Sequence, residues 1–484
     1  MRKSKLFVLA ALCSAAGWPA SVCAQDNADR PKGHAHTYSM SANGNFGELS
    51  FPNSGKPEAQ EPFLRGVLLL HNFTYPQAAR AFEEAERADP NFALAYWGEA
   101  MTYNHPIWYE VDVDRGRDAV KRAQRAGGGP WIDAVAQLYG DGDKAARDAA
   151  YERAMAKLAA ANPNDVEAQV FHALALLGTV GRDEVDARKR IRAAALLEPV
   201  FATHPDHPGA LHYLIHAYDD PLHAPLGLRA AQRYAGVASG APHALHMPSH
   251  IFVQLGMWPE AAKANEAAYG QSQEWVAREH AASDKRDLHS LSWLQYAYLQ
   301  MHRAADARRL LDEVPAKDGE GPRERHTRES MQARYAIESG DWGAFDFASA
   351  HEAAAIFARG LRAVAANDAA EAERAAKELA ASERERGDVE APTAETMVQE
   401  LRASMAMARG DTAAALRLAA QAAQTEETLG VPSGPPDTFK PARELYGELL
   451  LRAGKKKEAA EQFRIALTRT PNRAASLAGL AAAE

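Results

Sequence analysis

Histidines are concentrated in the stretch from His212 to Trp258, and their spacing repeats. His212 and His216 lie four residues apart, as do His246 and His250, and the second pair begins 34 residues after the first. On a helix, side chains four residues apart project from the same face. Each pair therefore predicts two imidazoles along one side of a helix, an arrangement that suits a transition metal.

Such pairs need helices that recur at a fixed period to hold them together. A period of 34 residues is typical of arrays of helix pairs, in which small residues allow close crossing and a proline follows the second helix. The chain matches this pattern near both ends, at Gly66, Ala78, Phe82, Ala85 and Pro90, and at Gly447, Gly454, Ala459, Phe463, Ala466 and Pro471. It resembles the tetratricopeptide repeat family, which implies an all-α, right-handed superhelical array of antiparallel helix pairs with a concave face.

The family's register implies which side chains face the concave groove. Positions 2, 5, 9, 12 and 13 of each first helix line it, and we anchor the register on Gly256 as position 15. The groove then receives three histidines from one helix, two from the repeat before and one from the repeat after: His243, His246 and His250, then His212 and His216, then His289. Six imidazoles are thus expected to converge from three neighbouring helices.

This convergence predicts a metal site. Packed helices lie roughly 8–10 Å apart and metal–imidazole bonds are about 2.0–2.1 Å, so facing imidazoles can reach a shared ion. Asp219, Asp220 and His223 follow the first pair and are expected to complete or orient the ligand shell. The alternative is that several of these histidines are ordinary hydrogen-bonded residues of a polar groove. Zinc and copper are the candidate ions.

Two functions remain open at this stage. No glutamate follows His212, so the pair lacks the general base of HExxH zinc proteases. The paired spacing resembles coupled dicopper oxidases, in which three imidazoles hold each copper. One function is a periplasmic scaffold that binds a peptide or protein partner in its groove, with the metal structural or part of recognition. The other is a metal-dependent enzyme, with copper as one candidate, that acts on a small molecule there.

A second candidate ligand-binding set lies mainly in the first repeats. His71 and His105 are 34 residues apart, both at position 13, while Trp97 and Asn104 fall at positions 5 and 12. Tyr296 falls at position 9 of a later repeat. Aromatic rings, an amide and imidazoles on a concave wall are typical of a ligand pocket. The alternative places the rings in the core between helices.

The N-terminus predicts export. Three basic residues precede an apolar run over 6–16, and small residues at 22–24 offer cleavage after Ala24. Cleavage there would remove both cysteines, so thiols are excluded from the chemistry. A periplasmic or secreted location follows. No later stretch is apolar enough to span a membrane, and a formal charge of −9 argues against nucleic-acid binding.

Composition and breaks divide the chain into five parts. The expected parts are a signal peptide (1–24), a polar leader (25–60) with a short strand near 48–51, a histidine-bearing array (61–318), Ala-rich helical repeats (319–430) and a C-terminal repeat with its cap (431–484). Breaks at 318–323 and 429–436 mark the later seams.

Four phrases are similar to a group of exported, histidine-rich bacterial tetratricopeptide proteins. They are LLHNFTYPQAARAF, ALAYWGEAMTYNHPIW, ALHMPSHIFVQLGMW and LHSLSWLQYAYLQ, and the likeness runs over about 47–314. It implies the architecture and the choice of residues rather than a reaction. One departure is Phe73, which stands where the repeat usually has glycine.

Overall fold

The computed structural model describes residues 37–39, 45–181, 187–278, 280, 285–316, 320–386 and 391–484. The predicted signal peptide and the start of the leader lie outside them. Within the described residues the strands form two short antiparallel pairs, β1 (Thr37–Ser39) with β2 (Glu48–Ser50) and β3 (Asn104–His105) with β4 (Glu110–Val111). The prediction of an all-α array is confirmed.

The first half of the array carries one of the two histidine pairs. Its helices are α1 (Pro57–His71), α2 (Tyr75–Ala88), α3 (Ala93–Met101), α4 (Val113–Arg125), α5 (Pro130–Val135), α6 (Lys144–Ala161), α7 (Val166–Gly178), α8 (Arg188–Thr203), α9 (Pro208–Ala217) and α10 (Ala224–Val237). A 3-10 turn over Ala136–Tyr139 continues α5. Consecutive helices pack against each other through most of this series.

The second half carries the remaining histidines of interest and the C-terminal repeats. Its helices are α11 (Pro242–His246), α12 (Pro248–Gln254), α13 (Trp258–Arg278), α14 (Leu288–Gln300), α15 (Ala304–Arg309), α16 (Pro322–Ser339), α17 (Ala353–Ala365), α18 (Ala369–Arg386), α19 (Ala391–Ala408), α20 (Thr412–Thr428), α21 (Ala442–Arg452), α22 (Lys456–Arg469) and α23 (Ala474–Ala483). A 3-10 turn over Leu310–Glu313 follows α15. By the criterion of length and apolarity, none of the helices in the described residues qualifies as a membrane span.

Small residues set the crossing of the helices, as the repeat pattern predicts. A Cβ on Gly66 would lie 2.7 Å from the ring of Phe82, and Gly98 of the next repeat packs against the same ring. Near the C-terminus Gly447 stands in the same relation to Phe463. Both phenylalanines are fully buried. Larger side chains at these glycines would push the helices apart.

Local sequence signals explain where the site-bearing helices start and stop. The Asp287 carboxylate accepts a hydrogen bond from the Ser290 backbone N–H and so caps α14. His243, His246 and His250 were predicted to lie on one helix, but the segment is divided into α11 and α12 at Pro248. Proline lacks the N–H that would continue the helical hydrogen bonds.

The C-terminal part of the chain packs against the histidine-bearing helices and their neighbours. The loop between α20 and α21 was predicted as a seam, yet its Pro432 carbonyl accepts a 2.7 Å hydrogen bond from the Gln254 amide. Gly434 of the same loop packs against the face of Trp293. Trp258 donates to the carbonyl of Asn472, 2.9 Å away. The loop therefore forms a wall of the region described next.

A buried ion cluster joins the same parts. Arg473 donates hydrogen bonds of 2.8 and 3.0 Å to the two carboxylate oxygens of Glu444, and one of 2.6 Å to Glu338. It also reaches the hydroxyl of Tyr296 at 3.3 Å. Arg473 is 1% exposed. The cluster links α14 and α16 to α21 and the start of α23.

Candidate metal centre

Three imidazoles of α9 and α11 form a first group, which we call triad A: His212, His216 and His243. The Nε2 atom of His212 lies 3.1 Å from Nε2 of His216 and 3.1 Å from Nε2 of His243. The α9 pair stands four residues apart as predicted, and α11 supplies the third ring. Three nitrogens this close can surround a single ion.

Three further imidazoles form triad B: His246, His250 and His289, from α11, α12 and α14. The Nε2 atoms of His246 and His250 are 3.2 Å apart, and each residue of the triad offers a nitrogen within 4.8 Å of the other two. The His246 and His289 ring centroids are 4.7 Å apart. The six predicted histidines thus converge, but as two sets of three rather than one cluster of six.

The two triads are neighbours. The ring centroids of His216 and His250 are 6.0 Å apart, and those of His243 and His246 are 6.4 Å apart. The triads are close together because α9, α11 and α12 each contribute histidines to the same region. Two ions, one in each triad, would therefore lie side by side.

Hydrogen bonds at the far side of the rings fix which nitrogen is free to bind. Nδ1–H of His212 donates to the His71 carbonyl at 2.7 Å, and that of His246 donates to Oδ1 of Asn265 at 2.7 Å. Nδ1–H of His250 donates to the Asp219 carboxylate at 2.7 Å. With the proton held on Nδ1, the lone pair of Nε2 points toward the other rings of its triad.

Electrostatics keep these imidazoles neutral. Burial, reinforced by neighbouring histidines, lowers the pKa of His212, His243 and His246 well below the ordinary value and lowers that of His216 and His250 to about 3. His289 is the most exposed of the six histidines, and partial desolvation lowers its pKa as well. Neutral imidazole is the form that binds a metal, so no proton has to leave first.

Two carboxylates stand behind triad B. Asp219 accepts from His250 and, at 3.1 Å, from the amide of Gln254. Burial raises the pKa of Asp219 to about 7. For Asp287, burial acts to raise the pKa, whereas hydrogen bonds from the Ser290 backbone N–H and hydroxyl act to lower it. Both acids can balance positive charge in the triads without entering the ligand set.

Aromatic rings pack against both triads, Phe73 against triad A and Trp293 against triad B among them. Phe73 stacks on His243 with ring centroids 5.5 Å apart and meets His212 edge-on at 4.4 Å. Trp293 lies 4.5 Å from His250 and 4.9 Å from His246. These rings shield the nitrogens from bulk water on one side. They also restrict rotation of the imidazoles.

Phe73 has a left-handed backbone conformation, with a φ of 53°. This is the position at which the repeat usually has glycine, the residue that adopts such a φ without strain. A phenylalanine there is tolerated because its ring is held against triad A. Strained residues of this kind cluster at functional sites. The departure from the repeat pattern was therefore the sequence signal for this residue.

A cavity of about 1530 Å³ opens beside the triads. His216, His243, His246, His250 and His289 contribute to its wall. The predicted supporting residues border it too: Asp219 behind His250, and Asp220 and His223, which are hydrogen-bonded to each other at 2.8 Å. A small molecule in the cavity could therefore reach both triads.

The second predicted set lies behind this wall, in the core. None of its members is among the residues that line the cavity: His71, Trp97, Asn104, His105 and Tyr296. Trp97 packs among Phe51, Trp131 and Phe171. The members of the set were expected on the surface of the groove, but neighbouring side chains enclose them instead.

The other members of the set lie in different surroundings. His105 stacks on Tyr75 at 3.9 Å and contacts Glu110 at 2.9 Å. Tyr296 belongs to the Arg473 cluster, and Asn104 lies on the short strand β3. These residues support the walls of the cavity instead of forming its surface.

His71 belongs to a buried network that sequence reasoning missed. Its Nε2 lies 2.9 Å from one oxygen of Glu167, and Nε2 of His207 lies 3.0 Å from the other. The three side chains could hold a metal by proximity alone. However, Nδ1 of His207 accepts the Ala210 N–H, so its proton is on Nε2 and directed at Glu167. That nitrogen has no lone pair for an ion.

We therefore expect His207→Asn to leave the metal content of the protein unchanged. It should lower the free energy of unfolding by about 1–3 kcal/mol, because Glu167 would lose a partner in the core. Elemental analysis of the purified variant, paired with chemical denaturation, measures both quantities. Loss of one metal ion per chain would instead make this network a third site.

Among known proteins, solved structures of helical repeat proteins are similar to this chain in fold. No family model matches the chain, and no curated protein matches it. A tetratricopeptide repeat protein from Parabacteroides merdae is 14% identical, with a TM-score of 0.37 over 66% of this chain and 98% of that one. The Cut9–Hcn1 hetero-tetramer of APC/C is 12% identical, with a TM-score of 0.36 over 90% of this chain and 78% of that one. Yeast Tom70 is 10% identical, with a TM-score of 0.36 over 88% of this chain and 94% of that one. The helix pairs described above, rather than these similarities, establish the fold of this chain.

Proposed function

We propose that this chain is an exported metalloprotein that binds two transition-metal ions side by side, one in triad A and one in triad B. The observation that carries the proposal is the division of six neutral imidazoles into two sets of three, each with its binding nitrogens grouped within 4.8 Å. Export is supported by the N-terminal sequence and by the likeness to exported bacterial repeat proteins.

The donor set supports a reactive site rather than a closed structural one. Each ion would have three nitrogen ligands, and structural ions usually have four protein ligands. A fourth position would therefore stay open to a molecule in the cavity. Five of the six histidines border that cavity.

Charge favours copper over zinc. Two Zn²⁺ ions would bring four positive charges into a buried site whose six ligands are neutral, and uncompensated buried charge is costly. Two Cu⁺ ions would bring two positive charges, which the carboxylates of Asp219 and Asp287 can balance. Imidazole is a suitable ligand for both metals, so the charge argument supports a Cu⁺ pair as the resting state; an oxidised Cu²⁺ pair would carry the same charge as two Zn²⁺ ions.

The activity that this centre supports best is oxidation of a small organic molecule. A copper pair held by triads A and B would supply two adjacent one-electron centres. Dioxygen would gain two electrons and two protons there to become hydrogen peroxide, and a two-electron donor such as a diphenol would restore the two electrons, lose two protons and be oxidised. A second function, capture of a peptide partner, is favoured by the cavity volume, which exceeds the roughly 300–1,000 Å³ of most small-molecule pockets.

Elemental analysis tests the metal proposal. Protein purified without a histidine tag, loaded anaerobically with Cu⁺ and then desalted, should retain two copper ions per chain. The same protein loaded with Zn²⁺ should retain fewer. Retention of less than a tenth of an ion per chain for either metal would contradict the proposal. Oxygen uptake on adding a diphenol to the copper-loaded protein then separates oxidation from peptide capture, which predicts none.

A further inference from the structure

One face of α16 forms the wall of the cavity beyond triad B. The side chains that border the cavity recur at the spacing of a single helical face: Arg323, His326, Thr327, Ser330, Met331 and Arg334. α16 also packs against α14, which carries His289 and Trp293. Groups on this face therefore share the cavity with the candidate metal centre.

Arg334 is held firmly in this wall. Its guanidinium carbon lies 4.5 Å from the ring centroid of Phe439 and 5.3 Å from that of Tyr296. The side chain is 9% exposed. Rings at this distance position a guanidinium and stabilise its charge. The group is thus fixed in place rather than free to seek solvent.

The hydrogen bonds of Arg334 are incomplete. Nη2 reaches the Pro436 carbonyl at a long 3.5 Å, and Nη1 has no hydrogen-bond partner among the described residues. Glu338 and Asp437 are close enough to act on the charge of Arg334, but neither forms an ion pair with it in the described structure. Arg473, the other deeply buried arginine nearby, has two carboxylate partners. A buried guanidinium without a hydrogen-bonded carboxylate is costly unless something else supplies acceptor oxygens.

Two further groups of the cavity wall lack partners. Ser330 lies one helical turn before Arg334, and its buried hydroxyl has no hydrogen-bond partner in the described structure. Arg190 also borders the cavity; its Nη2 pairs with Asp220 at 3.5 Å, but its buried Nε has no partner in the described structure. Each of these groups can donate a hydrogen bond. A complementary ligand must therefore present acceptor oxygens.

We propose that Arg334 and Ser330 form a subsite for the carboxylate of an organic acid bound in the cavity. The subsite itself does not require copper. The further statement that this acid is the molecule oxidised at the copper pair rests on the proposed function. The planar fork of a guanidinium matches the two oxygens of a carboxylate. The aromatic groups that border the cavity, Trp293 and Phe439 among them, suit an aromatic acid.

Calorimetric titration of the metal-free protein tests the subsite without any contribution from copper. Benzoate should bind, and the uncharged analogue benzamide should bind about tenfold more weakly or worse, because charge-assisted hydrogen bonds are lost. Arg334→Met should weaken benzoate binding by about tenfold or more, and Ser330→Ala by a smaller factor. Arg328→Met is the matched control, since Arg328 lies on the same helix but is paired with Glu320; its affinity should equal that of the parent.

Stability and copper content supply independent readouts. If Arg334 serves ligand binding, Arg334→Met should unfold at the same temperature as the parent or higher, and it should still retain two copper ions. A lower unfolding temperature with unchanged benzoate affinity would give Arg334 a structural role and overturn the subsite. Benzoate binding that requires copper and survives in Arg334→Met would place the carboxylate on the metal, also overturning it. Tighter binding of inorganic phosphate than of benzoate would reject the carboxylate assignment, whereas absence of copper alone would reject only the proposed function.

Discussion

Replacing His246 and His250 together by alanine should lower the copper content from two ions per chain to one. Both changes fall in triad B, and a single remaining imidazole, His289, is too few ligands to retain an ion through desalting. Triad A keeps all three of its nitrogens and should keep its ion. Helix content should not change, because alanine is a good helix former. Elemental analysis and circular dichroism of parent and variant provide the measurement.

Histidines outside the triads supply the control for this experiment. His172 contacts Glu152 and His204 contacts Thr203, and neither belongs to a triad or borders the cavity. The double variant His172→Ala, His204→Ala should therefore retain two copper ions. If the triad B variant also retained two, the assignment of ligands would be incorrect. If it retained none, the two ions would bind only as a pair.

The second large effect is expected at Arg473. Replacement by methionine removes the cation and leaves the buried carboxylates of Glu444 and Glu338 without it. Breaking a buried ion pair from one side costs about 3–5 kcal/mol, so the free energy of unfolding should fall by about that amount. Arg464→Met is the control, since the pair of Arg464 with Glu484 is more than half exposed and contributes little. Denaturant titration of both variants measures the difference.

The same cluster predicts an acid dependence. Burial acts to raise the pKa of Glu444, but Arg473 and Lys440 outweigh it and hold the pKa at about 2. In the unfolded chain a glutamate titrates near about 4.3. The stabilisation is therefore fully present above that pH and is lost as the pH falls toward 2. Stability measured from pH 5 downward should decline more steeply in the parent than in Arg473→Met, and parallel curves would contradict the assignment.

The sequence was sufficient to predict the helical array and the convergence of six histidines. Both follow from local spacing: a 34-residue period, and pairs four residues apart on one helical face. The same register failed for His71 and Trp97, since it describes a single repeat and not what covers it. Here α9 packs against α1, and Trp131 and Phe171 enclose Trp97. Residues that should face an open groove are thereby enclosed.

Contacts between residues distant in sequence could not be predicted, for a different reason. Asn265, which fixes the ring of His246, lies on α13, and Glu167, which binds His71 and His207, lies on α7. Nothing in their local sequence distinguishes them from ordinary polar helix residues. Phe73 was the exception, because it broke the glycine pattern. Division into two triads depends on how helices pack in three dimensions, which spacing alone does not specify.

The return of the 429–439 loop to Gln254 and Trp293 has a consequence for the order of events in the cell. The cavity gains this wall only after nearly the whole polypeptide has left the ribosome, whereas the six imidazoles emerge much earlier. A chain threaded unfolded through a secretion channel would complete the wall at its destination. Under the proposed function, the ions would then be acquired outside the cytoplasm, from the pool of metal available there.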